Sequence, residues 1–210
     1  WSSDVCSSDL LFYAIYLVVR NGVISYQKAS GLAMFSGIVI FCFYSFIRLK
    51  EMLPVEEYGY DAIFFILLIL CFAWGGDTCA YFAGRAFGKH KLCPVVSPKK
   101  TVEGAIGGVL GTMVFGVLVT VIYSIAADRM EEFTRSNIGV SMYVIIALLA
   151  CVAAVLGIYG DLFASVVKRQ CGIKDYGTIF PGHGGILDRF DSVMFIAPFV
   201  TMVVIAAFYN

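Results

Sequence analysis

Charged residues are scarce in this chain of 210 residues. They make up 14% of the sequence and hydrophobic residues 60%, whereas a soluble globular domain carries about 25% charged residues. The 15 basic side chains balance the 15 acidic ones. Bulk charge therefore indicates no particular partner, and no nucleic acid is expected. The composition excludes an ordinary soluble domain and favours a protein embedded in a lipid bilayer.

The sequence also lacks the common short motifs of metal and nucleotide binding. Its seven cysteines form no CxxC pair and no zinc-like cluster, and most of them lie in apolar runs. A cysteine in such a run behaves as a small hydrophobic residue, so reduced structural thiols are expected. No GxxxxGK[ST] phosphate loop is present either. A nucleotide site in this chain must therefore be of another kind.

The N-terminus lacks an initiator methionine and a basic segment before an apolar core, so a signal peptide is not expected. The first ten residues, WSSDVCSSDL, nearly repeat themselves. We interpret residues 1–10 as a non-native or mistranslated end of a chain whose N-terminal part is truncated. We expect residues 11–210 to form a single transmembrane domain that carries all the catalytic groups.

Long apolar runs fill most of the chain. A membrane-spanning helix needs about 20 predominantly apolar residues, and none of the runs shows the strict alternation of a membrane β-strand. The sequence therefore predicts an all-α, polytopic integral membrane helical bundle. Its six apolar segments lie at about 10–19, 31–49, 62–82, 105–127, 140–167 and 192–209.

Two loops, at about 83–104 and 165–191, concentrate basic residues. Loops rich in lysine and arginine stay on the cytoplasmic side of a membrane. Both loops are therefore expected at the cytoplasmic face, where they can contribute to one shared site.

Residues 161–191 carry most of the polar chemistry near the membrane. Asp161, Ser165 and Lys168 have the i, i+4, i+7 spacing of one helix face. Asp188 and Asp191 are three residues apart and are expected to share a face as the last helix begins. Two carboxylates and a hydroxyl are hard oxygen ligands that suit Mg²⁺. An acid inside an apolar segment costs about 2.5–3.5 kcal/mol on insertion scales, which favours a functional role.

Other groups in this stretch have two interpretations. Arg169 and Lys174 either bind a phosphorylated substrate or anchor the helix end at the headgroups. His183, within the glycine-rich bend PGHGG, is either a general base or a turn residue that contributes a hydrogen bond. The backbone amides of this bend are also suited to a close approach to phosphate oxygens.

A second polar region precedes the fourth apolar segment. Asp77, Tyr81 and Arg85 recur every four residues and predict a polar helix stripe. The run SPKKT that follows predicts a clamp for a triphosphate, built from Ser97, Lys99, Lys100 and Thr101. Two simpler interpretations remain: Thr101 as the N-cap of the next helix, and the paired lysines as a contact to anionic lipid.

Residues 165–191 read S-x-V-K-R-x4-K-D-x-G-x2-F-P-x-H-G-G-I-x-D-R-F-D. This run resembles the diagnostic pattern of the phosphatidate cytidylyltransferases, or CDP-diacylglycerol synthases, without a departure. The upstream block GDTCAYFAGRAFGKHKLCPVVSPKKTVEG is similar to the same family, so the resemblance extends from about residue 73 to the C-terminus. Family members have more membrane helices than the six segments here, which is why we expect a truncated N-terminal part.

The resemblance implies an enzyme that joins CTP to phosphatidic acid, giving CDP-diacylglycerol and pyrophosphate. It also implies dependence on Mg²⁺, with K⁺ as a possible second cation, and a homodimer in the bacterial inner membrane with its site facing the cytoplasm. Asp161 and Asp188 are the metal ligands that it implies. The predicted catalytic residues are Asp161, Lys168, His183, Asp188, Arg189 and Asp191. The predicted substrate-binding residues are Asp77, Arg85, Ser97, Lys99, Lys100, Thr101, Ser165, Arg169 and Lys174.

Three alternatives fit parts of this pattern. A polyprenol or phytol kinase, or an archaeal-lipid cytidylyltransferase, would use the same site with another acceptor. A transporter would also place Asp161 inside the membrane, but it would show paired broken helices in two similar halves, which this sequence lacks. A non-catalytic scaffold would not need this set of polar residues together: Asp161, Ser165, Lys168 and Asp188.

Overall fold

The computed structural model describes residues 26–129, 139–170, 172–173, 175–176, 185 and 187–208. The helices are α1 (Tyr26–Met52), α2 (Val55–Tyr58), α3 (Asp61–Phe87), α4 (Val102–Arg129), α5 (Val140–Gln170) and α6 (Val193–Phe208), with a 3-10 turn at Leu187–Arg189 before α6. The strands β1 (Lys91–Cys93) and β2 (Ser97–Thr101) lie between α3 and α4. Residues 1–41 and 42–210 form two compact units; all the site residues described below belong to the second.

Helices α1, α3, α4 and α5 are long and apolar enough to cross a membrane, and α6 is a shorter apolar helix. The prediction of an all-α polytopic membrane protein is therefore confirmed. Five of the six predicted apolar segments coincide with these helices. The sixth, at 10–19, lies outside the described residues, as does the unusual stretch 1–10.

Small residues let α3 and α4 approach closely. A Cβ atom added to Gly108 would lie 3.0 Å from the Cβ of Ala80, and one added to Gly104 would lie 2.8 Å from the Ala80 carbonyl oxygen. Such contacts between small residues are how membrane helices associate, because apolar area alone gives no advantage in lipid. The close packing makes α3 and α4 a firm support for the hairpin that joins them.

A buried acid ties the same two helices together far from the hairpin. The Tyr123 hydroxyl of α4 donates a 2.7 Å hydrogen bond to Asp61, the first residue of α3. Asp61 is 1% exposed, and Phe64 stacks on the Tyr123 ring at 4.3 Å. Asp61 precedes Asp77 by four helical turns, or about 24 Å. It therefore serves the packing of the bundle and is remote from the polar loops.

The loop between α3 and α4 forms an antiparallel hairpin, which the sequence did not predict. Lys91 pairs with Thr101, and Cys93 pairs with Ser97. The Thr101 hydroxyl accepts a 3.1 Å hydrogen bond from the backbone N–H of Gly104 at the start of α4. This bond confirms the interpretation of Thr101 as an N-cap, and it joins the hairpin directly to the helix.

Glu103 fixes the other side of the hairpin. Its carboxylate accepts hydrogen bonds from the backbone N–H groups of Lys89, at 3.1 Å, and His90, at 3.2 Å. The His90 ring nitrogen Nδ1 lies 2.7 Å from the same carboxylate. The hairpin thus begins and ends on contacts to the first turn of α4, which holds β2 beside the helices.

Candidate active site

The two polar regions meet in one cavity of about 480 Å³. It lies where α3 and α5 carry acids and where the hairpin carries lysines. Eight of the predicted site residues line it: Asp77, Arg85, Lys99, Lys100, Thr101, Asp161, Asp188 and Asp191. Residues from both polar regions therefore line the same cavity.

Asp77 and Asp161 project from the two long helices. Asp77 of α3 accepts a 3.0 Å hydrogen bond from the Ser192 hydroxyl. Asp161 of α5 forms an ion pair with Lys100 of the hairpin and lies 3.4 Å from the Ser165 hydroxyl. The predicted placement of Asp161 and Ser165 on one helix face is therefore confirmed, and Lys100 links α5 to the hairpin.

Asp188 is the most fully bonded acid of the cavity. It accepts hydrogen bonds from the Lys168 ammonium at 2.9 Å and from the backbone N–H groups of Tyr176 at 2.8 Å and Gly185 at 2.9 Å. Burial alone would raise the pKa of this carboxyl, but the three bonds outweigh burial and lower it. Asp188 is therefore held as a carboxylate.

Asp191 lies in a less favourable electrostatic setting. The absence of a side chain at Gly160 gives its backbone room, since a Cβ there would lie 2.8 Å from the Asp191 carbonyl oxygen. Burial, together with the nearby charges of Asp161 and Asp77, raises the pKa of Asp191 to about 7, although Lys168, 3.7 Å away, opposes this shift. The acids of the cavity thus repel one another, and a bound cation would relieve that repulsion.

Lys168 lies behind these acids. Its side chain is 11% exposed and contacts Asp188 and Asp191, but it does not line the cavity. The sequence predicted a catalytic group on the same face as Asp161. In the structure its direct contacts are to the carboxylates, so any contribution that it makes to the cavity passes through them.

The other predicted residues fall into two groups. Ser97, Ser165, Arg169 and Arg189 are described but do not line the cavity, and both arginines are exposed at the surface. Lys174 and His183 lie outside the described residues, so their proposed roles stay predictions.

Trp74 contacts the segment that carries the cavity acids, and sequence reasoning did not predict this role. Its indole N–H donates a 3.1 Å hydrogen bond to the carbonyl of Arg189, 115 residues away. The ring of Phe190 lies 6.1 Å from that of Trp74 and 5.8 Å from that of Phe43. These contacts hold the segment between Asp188 and Asp191. No local pattern could have joined two positions so distant in sequence.

The chemistry of the acids fits magnesium. Among the described residues, no three histidine, cysteine, aspartate or glutamate side chains lie close enough to form a complete metal site. Magnesium, however, is usually held by one or two carboxylates, with water and substrate phosphate oxygens completing its coordination. Four aspartates that line one cavity supply carboxylates of this kind.

Comparison with known proteins identifies the family. The profile of the Cytidylyltransferase family matches residues 1–207. The chain belongs to this family. It is 32% identical over 197 residues to the phosphatidate cytidylyltransferase of Bacillus subtilis (strain 168), covering 94% of this chain and 66% of that protein. It is 39% identical over 145 residues to the phosphatidate cytidylyltransferase of Staphylococcus haemolyticus, covering 69% of this chain and 50% of that protein. The chain thus spans about half to two-thirds of the length of these relatives.

Proposed function

We propose that this cytidylyltransferase-family protein transfers the cytidylyl group of CTP to phosphatidic acid, which gives CDP-diacylglycerol and pyrophosphate. The observation that carries this proposal is the single cavity in which four aspartates face the lysines of the hairpin, at one end of apolar helices. Anionic phosphates and a divalent cation both have partners there. The names of the bacterial relatives support the same reaction.

The hairpin side of the cavity suits the triphosphate of CTP. Lys99 and Arg85 are exposed and line the cavity, and neither forms a salt bridge with an acid of the described residues. Cations that lack an acidic partner are available to bind phosphate oxygens. Lys100 is already paired with Asp161, so it would connect the nucleotide to the acidic wall.

The lipid substrate would enter from the bilayer. Apolar side chains such as Ile106 and Leu110 are exposed on α4, where lipid chains would cover them. The cavity itself includes Ile158 and Leu92 beside its charged groups. The protein thus offers an apolar surface for an acyl chain next to charged groups for a phosphate. The diacyl part of the substrate then never needs to enter water.

A phosphate oxygen of phosphatidate would attack the α-phosphorus of CTP. The new bond joins that oxygen to the α-phosphorus, and the bond from the α-phosphorus to the oxygen of the leaving pyrophosphate breaks. The attacking oxygen is already anionic, so the reaction needs no strong base. The main obstacle is the repulsion between two anions, which the cations of the cavity reduce.

Magnesium, when bound, would neutralise charge on the α-phosphate and on the leaving oxygen. Asp161 and Asp188 are the proposed ligands, as the family resemblance implies. Asp77 and Asp191 line the same cavity and offer further carboxylate oxygens. A second cation such as K⁺ remains part of the proposal.

Lipid-product analysis with CTP, phosphatidate and Mg²⁺ tests this function. We expect labelled CDP-diacylglycerol from the wild-type protein in membranes, and its loss in excess EDTA. Parallel reactions with a polyprenol and with an archaeal-type ether lipid separate the related enzymes. Turnover of either acceptor in place of phosphatidate, or full activity in EDTA, would contradict the proposal.

We further infer a homodimer in the bacterial inner membrane, as the family resemblance implies. We infer that the cavity is at the cytoplasmic face because the basic loops border it. Val95, at the end of the hairpin, is 92% exposed, so Val95→Cys provides a topology probe in a variant whose seven native cysteines are replaced by alanine or serine. A membrane-impermeant thiol reagent should label it in inside-out vesicles and leave it unlabelled in intact spheroplasts. The reverse pattern would contradict the orientation, and a monomer in cross-linking and light-scattering measurements would contradict the dimer.

A further inference from the structure

The chain reverses direction just after α5. Gly172 has a positive φ of 70°, which a residue without a side chain adopts at little cost. Its N–H donates to the Arg169 carbonyl at 3.1 Å, and the N–H of Ile173 donates to the Lys168 carbonyl at 3.0 Å. This helix ending satisfies two terminal carbonyls and returns the chain toward the buried face of α5, where it reaches Tyr176.

Tyr176 makes three contacts there. Its hydroxyl donates a 3.0 Å hydrogen bond to the Ala164 carbonyl of α5. Its backbone N–H donates a 2.8 Å hydrogen bond to Asp188. The Lys168 ammonium lies 5.2 Å from the centre of its ring. One residue therefore touches the helix, the lysine and the acid that the lysine binds.

The ammonium of Lys168 contacts three groups. Asp188 and Asp191 attract it as carboxylates that line the cavity, and the Tyr176 ring contacts it as an aromatic face. A cation over an aromatic ring is bound more strongly when water is excluded, and Lys168 is 9% exposed. The hydroxyl of the same side chain donates separately to the Ala164 carbonyl of α5.

We propose that Tyr176 is a positioning residue, which fixes Lys168 and, through it, the carboxylates of Asp188 and Asp191 at the cavity. The sequence pattern quoted above leaves position 176 unspecified, so this role belongs to the structure of this chain. The effect of this role on kcat rests on the proposed function. The effect of Tyr176 on the position of Lys168 does not.

Two substitutions separate the ring from the hydroxyl. Tyr176→Phe keeps the ring over Lys168 and loses the bond to Ala164, and Tyr176→Leu loses both. We expect Tyr176→Leu to lower kcat about tenfold, with the KM for CTP changed less than about twofold, because CTP would bind the hairpin side. Tyr176→Phe should stay within about threefold of wild type. A fall in Tyr176→Phe as large as in Tyr176→Leu would overturn the role of the ring.

Phe163→Leu is the matched control, since Phe163 lies near the same end of α5 and packs on Phe195 with 5.8 Å between ring centres. It loses aromatic packing of similar size without touching Lys168. Its kcat per folded molecule should equal that of the wild type. An equal loss of kcat in Phe163→Leu and Tyr176→Leu would show that Tyr176 acts only through general packing, and would overturn the proposal.

A double-mutant cycle measures the contact independently of activity. The unfolding midpoints of Tyr176→Leu, Lys168→Met and the double variant are compared in the same detergent, with the uncharged Lys168→Gln as a replacement if Lys168→Met does not fold. Residues in direct contact give non-additive effects, so Tyr176→Leu should destabilise the Lys168 variant less than the wild type. Additive effects would overturn the proposal. A wild-type protein that makes no CDP-diacylglycerol would instead contradict the proposed function and leave this cycle interpretable.

Discussion

The cavity has two walls that hold charge in different ways. On the helix-end wall, Asp188 and Asp191 line the cavity and both contact Lys168 behind them, whose side chain is 11% exposed. The hairpin wall is formed by Lys99 and Lys100 of the hairpin, with Arg85 of α3 beside them; Lys99 is exposed and forms no salt bridge with a described acid. Lys100 is intermediate, with a side chain that is 25% exposed and paired with Asp161.

This difference predicts that the two walls have different roles. Buried charges that already have partners hold groups in place, and removing one partner leaves the other unpaired at high cost. Exposed cations contribute little to folding but are available to a ligand. The helix-end wall should therefore respond to substitution through stability and kcat, and the hairpin wall through the binding of the nucleotide.

The largest effect is expected at Asp188. Asp188→Asn removes the charge that Lys168 binds and a proposed metal ligand, so CDP-diacylglycerol formation should fall by about a thousandfold or more. Membrane insertion should be unchanged, because the apolar helices are intact. A radiolabelled-CTP assay on equal amounts of inserted protein measures this. Normal product formation by the variant would contradict the metal assignment and the importance of the helix-end wall.

Lys168→Met should reduce the free energy of unfolding by about 3–5 kcal/mol, since it leaves two buried carboxylates without their ammonium partner. Thermal unfolding in detergent, read by circular dichroism, measures the change. Lys99→Met is the control, with the same substitution on the hairpin wall, and it should alter stability by less than about 0.5 kcal/mol. Equal losses in the two variants would remove the distinction between the walls.

Lys99→Gln tests the hairpin wall, which we expect to bind the nucleotide. Loss of one charge-assisted bond to a phosphate is worth about 1.5 kcal/mol, so the KM for CTP should rise about tenfold. The unfolding midpoint should stay that of the wild type. Steady-state kinetics at saturating phosphatidate provide the measurement. An unchanged KM would mean that this lysine does not contact the nucleotide.

A prediction about pH concerns the helix-end wall alone. The pKa of Asp191 is raised to about 7, above the value of about 3.9 in an unfolded chain. The folded protein therefore binds more protons than the unfolded one between these values, and its stability should fall as pH rises from about 4 to about 7. Unfolding midpoints in EDTA should show this slope, and Asp191→Asn should flatten it. A slope that is unchanged in the variant would assign the proton to another group.

Sequence reasoning succeeded where the interactions are local. The contact between Asp161 and Ser165 follows from helical periodicity, and the cap that Thr101 places on α4 follows from short-range hydrogen bonding. The apolar runs could also be identified as membrane helices from the sequence, because bilayer thickness sets the length of a spanning helix. The hairpin was missed because its strands are short and carry lysines and a proline rather than alternating apolar residues.

By itself, then, the sequence determined the membrane-helical class, the residues that carry charge, and the local faces on which they lie, since all of these depend on composition and on neighbours within a few residues. Only the tertiary structure decided which charges meet. The pair of Lys100 with Asp161 and the bond from Ser192 to Asp77 join different helices and loops. The contact of Tyr176 with Lys168 joins helix α5 to a residue that comes after the turn at Gly172. Such contacts arise from the packing of distant segments, which no local pattern encodes.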